Sequence, residues 1–246
     1  TAVPSLVAVL PANEASGVLS DLTEAQVEFS VPIDADQAVL DNFVLLRDGQ
    51  PEALRSTDPE DRGEGVYGLA PESGFRVGST YTVQVSPSVT GPLGTDQPIT
   101  WQFSTAVPLV SSLRPASLAS DVSPSLSALQ LTFDNAIDEG ALRGLGNVQV
   151  LEEGRALDLG EIAYNPDEGM VTFAPLLGLR AGTGYQVIVS SAVGGPLQGS
   201  DYAWGFSTAV PSLVAVLPAN EASGVLSDLT EAQVEFSVPI DADQAV

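Results

Sequence analysis

Apolar and polar residues alternate along this chain in short runs separated by turn residues. Ala25-Gln26-Val27-Glu28-Phe29 places its apolar side chains on one side of an extended segment and its polar ones on the other. A period of two is the pattern of a half-buried strand. Leu129-Gln130-Leu131-Thr132-Phe133, Tyr81-Thr82-Val83-Gln84-Val85 and Tyr185-Gln186-Val187-Ile188-Val189 repeat it, and Ile99-Thr100-Trp101-Gln102-Phe103 follows the same rule. Leu6–Leu10, Phe43–Arg47, Val66–Leu69 and a short piece near Glu52–Arg55 are further strand candidates. Asp48-Gly49, Glu153-Gly154, Gly91-Pro92 and Gly195-Pro196 supply turns between them. No stretch has the period of a long helix; Asp34–Asp41 and Asp138–Leu145 are each predicted to form a single turn between strands. About seven short strands in about 100 residues predict an all-β chain built of β-sandwiches.

The strands recur. Residues 208–246 repeat residues 1–39 without a mismatch, a period of 207 residues. That period is itself a doublet: Phe103-Ser104-Thr105-Ala106-Val107-Pro108 returns as Phe206-Ser207-Thr208-Ala209-Val210-Pro211. Ile33-Asp34 aligns with Ile137-Asp138, Arg76 with Arg180, Tyr81 with Tyr185, and Trp101 with Trp204. Sequence repeats of this kind mark arrays of one structural unit. The expected organisation is domain A over residues 1–107, domain B over 108–210, and the first strands of a repeated, incomplete domain A over 211–246. The last segment is expected to open a further copy in a longer array, with Val246 continuing into an equivalent of Leu40. The joints are short: Ala106-Val107 leads into Pro108 and Ala209-Val210 into Pro211, with no Gly/Ser spacer. Proline fixes its own φ and biases its predecessor toward extended backbone. Such joints predict an extended, stiff rod gaining about 35–45 Å per domain, given a rise of ~3.4 Å per strand residue.

Composition removes most chemistry. Asp and Glu number 32 against 8 basic residues, for a net charge of −24, and there is no His and no Cys. All the basic residues are arginine, so Schiff-base and isopeptide chemistry through lysine are absent too. Disulfides, thiolate metal sites and imidazole bases are excluded. The negative balance argues against nucleic acid and anionic membrane as partners. No apolar run approaches the length that inserts into a membrane. A strongly acidic, soluble surface is the expectation.

Gly78-Ser79-Thr80-Tyr81 and Gly182-Thr183-Gly184-Tyr185 each run a turn into a strand that opens on Tyr. A Tyr so placed can bond its hydroxyl to the upstream chain and lock a sandwich corner. Trp101 and Trp204 alternate in register with Phe103 and Phe206 and are expected in the core.

Together these segments resemble the bacterial Ig-like domains of S-layer proteins and large surface adhesins. The resemblance rests on Leu10-Pro11-Ala12-Asn13, Val27-Glu28-Phe29-Ser30, the run Phe75 to Val85, and Trp101-Gln102-Phe103-Ser104-Thr105, with counterparts from Leu179 to Tyr185 and from Trp204 to Thr208. It departs from the family pattern at Phe75, where Leu is usual. It implies tandem Ig-like sandwiches in an exported bacterial protein with a structural or adhesive role, and it carries over no catalytic residue.

Carboxylates are the remaining candidates for site chemistry. Asp34-x-Asp36, Asp138-Glu139 and Asp58-Pro59-Glu60-Asp61 offer oxygens of the kind Ca²⁺ binds, but none has EF-hand spacing. Solvated loop carboxylates are the expectation, calcium the alternative. Paired carboxylates also serve glycoside hydrolysis, but no sequence feature builds a cleft around them. No catalytic, cofactor-binding or metal residue is assigned. The expected function is a structural tandem-repeat segment of a bacterial cell-surface or extracellular filament or stalk, its partners being copies of itself along an array. The alternative is an adhesin module for a surface glycan or protein, using the acidic loop Ser56–Gly65, which differs from Ala156–Glu168.

Overall fold

The computed structural model describes residues 2–55, 59–90, 96–225 and 230–240. It is an all-β chain that divides into two compact units. The first takes in Thr1–Leu109 with Asn135–Asp138 and Ser191–Ser200; the second takes in Val110–Asp134, Glu139–Ser190 and Asp201–Val246.

The first unit contains β1 (Leu6–Leu10), β2 (Ala15–Val18), β3 (Ala25–Phe29), β4 (Phe43–Arg47), β5 (Gln50–Glu52), β6 (Glu60–Gly63), β7 (Val66–Leu69), β8 (Thr80–Val85) and β9 (Ile99–Thr105). One sheet has the order β1-β3-β7-β6, the other β2-β9-β8-β4-β5. The chain leaves β1 through a cis Leu10–Pro11 bond and enters the other sheet as β2, which pairs in parallel with β9. All other pairings are antiparallel.

Alternation along the strands builds the core between the sheets. β3 buries Ala25, Val27 and Phe29, and β8 buries Tyr81, Val83 and Val85. Trp101 and Phe103 of β9 complete the layer. The register sets Tyr81 beside Phe103 and Val83 beside Trp101. Tyr81 and Phe103 stack with ring centres 5.6 Å apart, and Phe75 meets Tyr81 edge-on at 4.9 Å. Such pairs add to area burial. The indole Nε1 atoms of Trp101 and Trp204 are buried without an acceptor, so each indole serves as apolar volume.

The second unit repeats the plan with β10 (Val110–Arg114), β11 (Leu129–Phe133), α1 (Glu139–Leu142), β12 (Val148–Glu152), β13 (Arg155–Ala156), β14 (Ala163–Asn165), β15 (Met170–Phe173), β16 (Gly184–Val189) and β17 (Tyr202–Ser207). Its sheets have the orders β10-β11-β15-β14 and β13-β12-β16-β17. A single parallel bridge, Val122 to Thr208, stands where the first unit has β2.

Among the described residues the sandwiches carry nine and eight strands where the sequence pattern predicts about seven. The extra strands are short, and most are exposed and polar, so no hydrophobic alternation marks them: β6 is Glu-Asp-Arg-Gly and β13 is Arg-Ala. The strand piece expected near Glu52–Arg55 lies at Gln50–Glu52, because Asp48-Gly49 forms the turn immediately before it. Both turn residues have positive φ, 52° and 79°, as do Glu153 and Gly154 at 48° and 83°. Two successive positive values fit a two-residue hairpin turn that matches strand twist.

β18 (Leu213–Leu217) and β19 (Gln233–Phe236) close the described chain. They pair with the register of β1 and β3, bulge included. Val234 and Phe236 are 56% and 39% exposed, whereas their counterparts Val27 and Phe29 are buried.

Candidate functional site

The most fully built polar constellation in each unit is a corner lock. In the first unit the Tyr81 hydroxyl accepts the Arg76 amide hydrogen at 2.7 Å. Five residues separate donor and acceptor, so the bond ties the turn to the strand that leaves it. Thr105, at the end of β9, adds a second tie. Its Oγ1 donates to the Arg76 carbonyl at 2.6 Å and accepts from the Ser79 amide at 2.9 Å. The second unit repeats both ties: Tyr185 accepts from Arg180 N at 2.6 Å, and Thr208 donates to the Arg180 carbonyl at 2.5 Å and accepts from Thr183 N at 3.0 Å. Buried backbone groups need partners, and here two side chains supply them for an entire corner. The tyrosine role is readable from the turn-strand spacing. The threonine role is not: Ser-Thr at a strand end has no distinctive local pattern, and only its recurrence as Ser104-Thr105 and Ser207-Thr208 hints at it.

Burial pushes the Tyr81 phenol up from its ordinary range. Burial also pushes Tyr185 up, to about 12, with the nearby Glu152 carboxylate adding to the effect. Glu152 Oε1 lies 3.1 Å from the Tyr185 oxygen and accepts a hydrogen bond from its hydroxyl. In both tyrosines burial outweighs the arginine amide bond, which by itself would lower the value.

Among the described residues no group of three acidic side chains is arranged to hold a metal. Asp34 uses its backbone carbonyl to accept from the amides of Gln37 and Ala38, forming the expected turn. Asp138, within the first unit, accepts from Arg76 at 3.4 Å. Glu139 pairs along its own helical turn with Arg143. Asp61 accepts from the Gly63 amide at 2.7 Å, and Glu60 pairs with Arg62 at 2.7 Å. Asp58 lies outside the described residues, as do the Gly91-Pro92 turn and Asp241 to Val246.

The acidic segment read as a loop, Ser56–Gly65, is corrected in part. From Glu60 to Gly63 it forms β6, an edge strand on β7. Its anchor is Arg62, whose Nη2 and Nε reach the two oxygens of Glu24 at 2.5 and 3.1 Å. Glu24 is nearly buried, and the Arg62 guanidinium holds its carboxyl below the usual range against the opposing effect of burial. Charged residues with no apolar alternation hid this strand from the hydrophobic pattern.

The second unit carries a surface recess beside Leu176 and Leu177. It encloses about 640 Å³ and is lined by Arg155, Asp158, Arg180, Leu176 and Leu177 among others. Leu176 and Leu177 stand exposed where the first unit has Glu72 and Ser73. Among the described residues no helix is long and apolar enough to cross a membrane.

Two stacked sheets, a parallel first-strand switch and a tyrosine corner define an Ig-like sandwich. A family model described as bacterial Ig-like domain matches residues 1–105 and again 106–208. The chain belongs to the bacterial Ig-like domain family, in two tandem copies. No curated protein matches it. Among solved structures it is similar to the N-terminal part of the bacterial S-layer protein SbsC, at 16% identity and a TM-score of 0.32, covering 84% of this chain and 44% of that one. It is also similar to domains A168–A170 of titin, at 8% identity and a TM-score of 0.37, covering 87% and 68%. A third is Rst D1-D2, at 11% identity and a TM-score of 0.30, covering 85% and 100%. The chain thus spans less than half the length of the S-layer fragment.

Proposed function

We propose that this chain is a repeat segment of a bacterial cell-surface or extracellular filament or stalk, and that it acts there as a stiff spacer. Bacterial Ig-like domains are typical of surface and secreted proteins and are usually non-catalytic, which supports the setting. The observation that carries the reading is the recurrence of residues 1–39 at 208–246 without a mismatch. An active site gains little from tandem copies, whereas a spacer lengthens with each one. The partners are copies of the same domains along the array. The proline-bearing joints, two residues from the end of β9 to Pro108 and three from the end of β17 to Pro211, support stiffness.

Small-angle scattering on the 246-residue chain, and on arrays of two and three 207-residue periods, tests this. The expected result is a rod-like profile whose maximum dimension grows by about 35–45 Å per domain, from strand rise and loops. A compact or freely jointed particle rejects the spacer.

The recess beside Leu176 and Leu177 favours a second reading, an adhesin module for a surface glycan or protein. Glycan-array and cell-binding measurements on the same chain discriminate. Saturable binding abolished by Leu177→Ser would replace the spacer with the adhesin.

A further inference from the structure

β1 is an edge strand of its sheet, at the side away from β6, and its chemistry is unlike that of its counterpart in the second unit. Leu6, Val7 and Leu10 are 45%, 56% and 53% exposed. The matching positions of β10 are Val110, Ser111 and Arg114, and Ser111 and Arg114 are exposed. Both strands carry the same bulge, after Leu6 and after Val110, so side chains alone distinguish them. Exposed edges invite pairing with another strand, and natural sheets blunt them with charge. β10 is blunted by Arg114; β1 carries no charge at all in a chain of net charge −24.

The order of residues in β1 names the partner. Leu6-Val7-Ala8-Val9-Leu10 reads the same in both directions. Laid antiparallel against itself about Ala8, it sets Leu6 opposite Leu10 and Val7 opposite Val9. Antiparallel self-pairing is two-fold for any strand, and here the palindrome also sets like apolar side chains opposite one another, with no polar or charged group among them. We propose that β1 pairs edge to edge with β1 of a second copy of this chain. β18 has the same sequence and the same register to its neighbour, so each chain carries two such strips. One five-residue edge buries too little area for a stable dimer by itself. Two strips on one chain raise the effective concentration of the second contact. Charge opposes the pairing in a defined way. Ala8 lies beside Glu28 in the register, so pairing about Ala8 lines up the Glu28 residues of the two copies. They would stand three strand spacings apart, about 14 Å. Salt therefore strengthens the association.

This goes beyond the spacer reading and fails separately from it: scattering tests shape, whereas association state tests pairing. Sedimentation velocity of the 246-residue chain is measured against protein concentration and NaCl. The salt range runs from about 0.02 M to about 0.5 M, over which the screening length falls from about 20 Å to about 4 Å. Reversible association that grows with both supports pairing. The decisive variant carries Val7→Ser, Leu10→Arg, Val214→Ser and Leu217→Arg, the residues that β10 already accommodates at these positions. It is expected to remain monomeric over the same range with an unchanged melting temperature. A wild-type chain that stays monomeric throughout overturns the proposal. So does association that survives the four substitutions, which would place the contact on the open face of Val234 and Phe236 instead. If the variant unfolds, hydrogen exchange on the wild type decides: concentration-dependent protection of the Ala8–Leu10 amides supports pairing, and its absence refutes it.

Discussion

Replacing Tyr185 by Phe tests whether the corner lock stabilises its sandwich. The substitution keeps the ring, which is stacked on Phe206 at 5.4 Å, and deletes one oxygen. That oxygen accepts from Arg180 N at 2.6 Å and donates to Glu152 at 3.1 Å. A net hydrogen bond contributes about 1 kcal/mol, and a buried donor left without a partner costs about 1–3 kcal/mol. Glu152 is half-exposed and recovers its partner from water, so the loss centres on the Arg180 amide, at about 2 kcal/mol. For a domain of about 100 residues this lowers the melting temperature by about 8–16 °C. The unfolding of the second unit is followed by Trp204 fluorescence in a Trp101→Phe background. An alkaline series adds a signed test. The folded phenol titrates near 12, above its ordinary value of 10.0. Its contribution is therefore complete below pH 10 and is lost as pH rises toward 12, since the unfolded chain releases the proton first. At 1.36 kcal/mol per unit the loss reaches roughly 2–3 kcal/mol. Tyr185→Phe should lack that portion of the alkaline decline. A variant that melts with the wild type would refute the lock; one that keeps its full alkaline slope would assign that slope to groups other than the buried Tyr185 phenol.

Three further outcomes follow from other contacts. Glu24→Gln should destabilise the first unit by about 1–2 kcal/mol near neutral pH, the usual cost of breaking a buried pair being reduced because Arg62 is substantially exposed. Because Arg62 lowers the Glu24 pKa, this contribution is full above the ordinary value of 4.5 and fades as pH falls through the folded value. Thermal melts of variant and wild type should converge in acid. Gly169→Ala should cost more than 2 kcal/mol in urea unfolding, on the order of strain plus a backbone clash. Gly169 has φ +63° and an added Cβ would lie 2.4 Å from the Phe133 carbonyl oxygen. Gly65 stands in the same relation to Phe29 at 2.6 Å and should respond alike. Trp101→Phe should lower stability by about 1–3 kcal/mol, the range for lost core volume. No hydrogen bond is lost, because Nε1 has no acceptor; a larger drop in chemical denaturation would contradict that.

Core strands were legible because burial on one face forces a period of two. β1, β3, β4, β7 and β11 begin and end where alternation or an apolar run begins and ends. Edge elements were less so. β6 is held by Arg62 reaching Glu24 across 38 residues, and long-range ion pairs leave no local periodicity. The Gly65 and Gly169 contacts were likewise hidden, since glycine in a turn reads as ordinary punctuation until the Phe carbonyl is seen beside it. The tyrosine lock was visible because its partner lies five residues upstream. The threonine that completes it bonds across 29 residues. Exposed Leu176 and Leu177 were silent for a different reason: two leucines before Gly-Leu look like core, and only the structure places them outside.

The two levels of repetition preserve different things. Between the two units, corner, bulge and core positions recur, while β1 and β10 differ in exposed chemistry and, among the described residues, the Arg62–Glu24 anchor belongs to the first unit. These shared positions are the ones a sandwich needs in order to close. The 207-residue recurrence copies surface and core together, down to the charge-free palindrome of β1. Folding constrains a core but leaves exposed Val7 and Leu10 free to become polar, as β10 demonstrates with Ser111 and Arg114. An array of such periods would thus present one apolar edge for every two domains, at regular intervals. Neighbouring arrays in register could then engage many weak edges at once, and lateral cohesion would rise with length. On that argument length and cohesion come from the same duplication, and shortening an array should weaken bundling more steeply than in proportion to the periods removed.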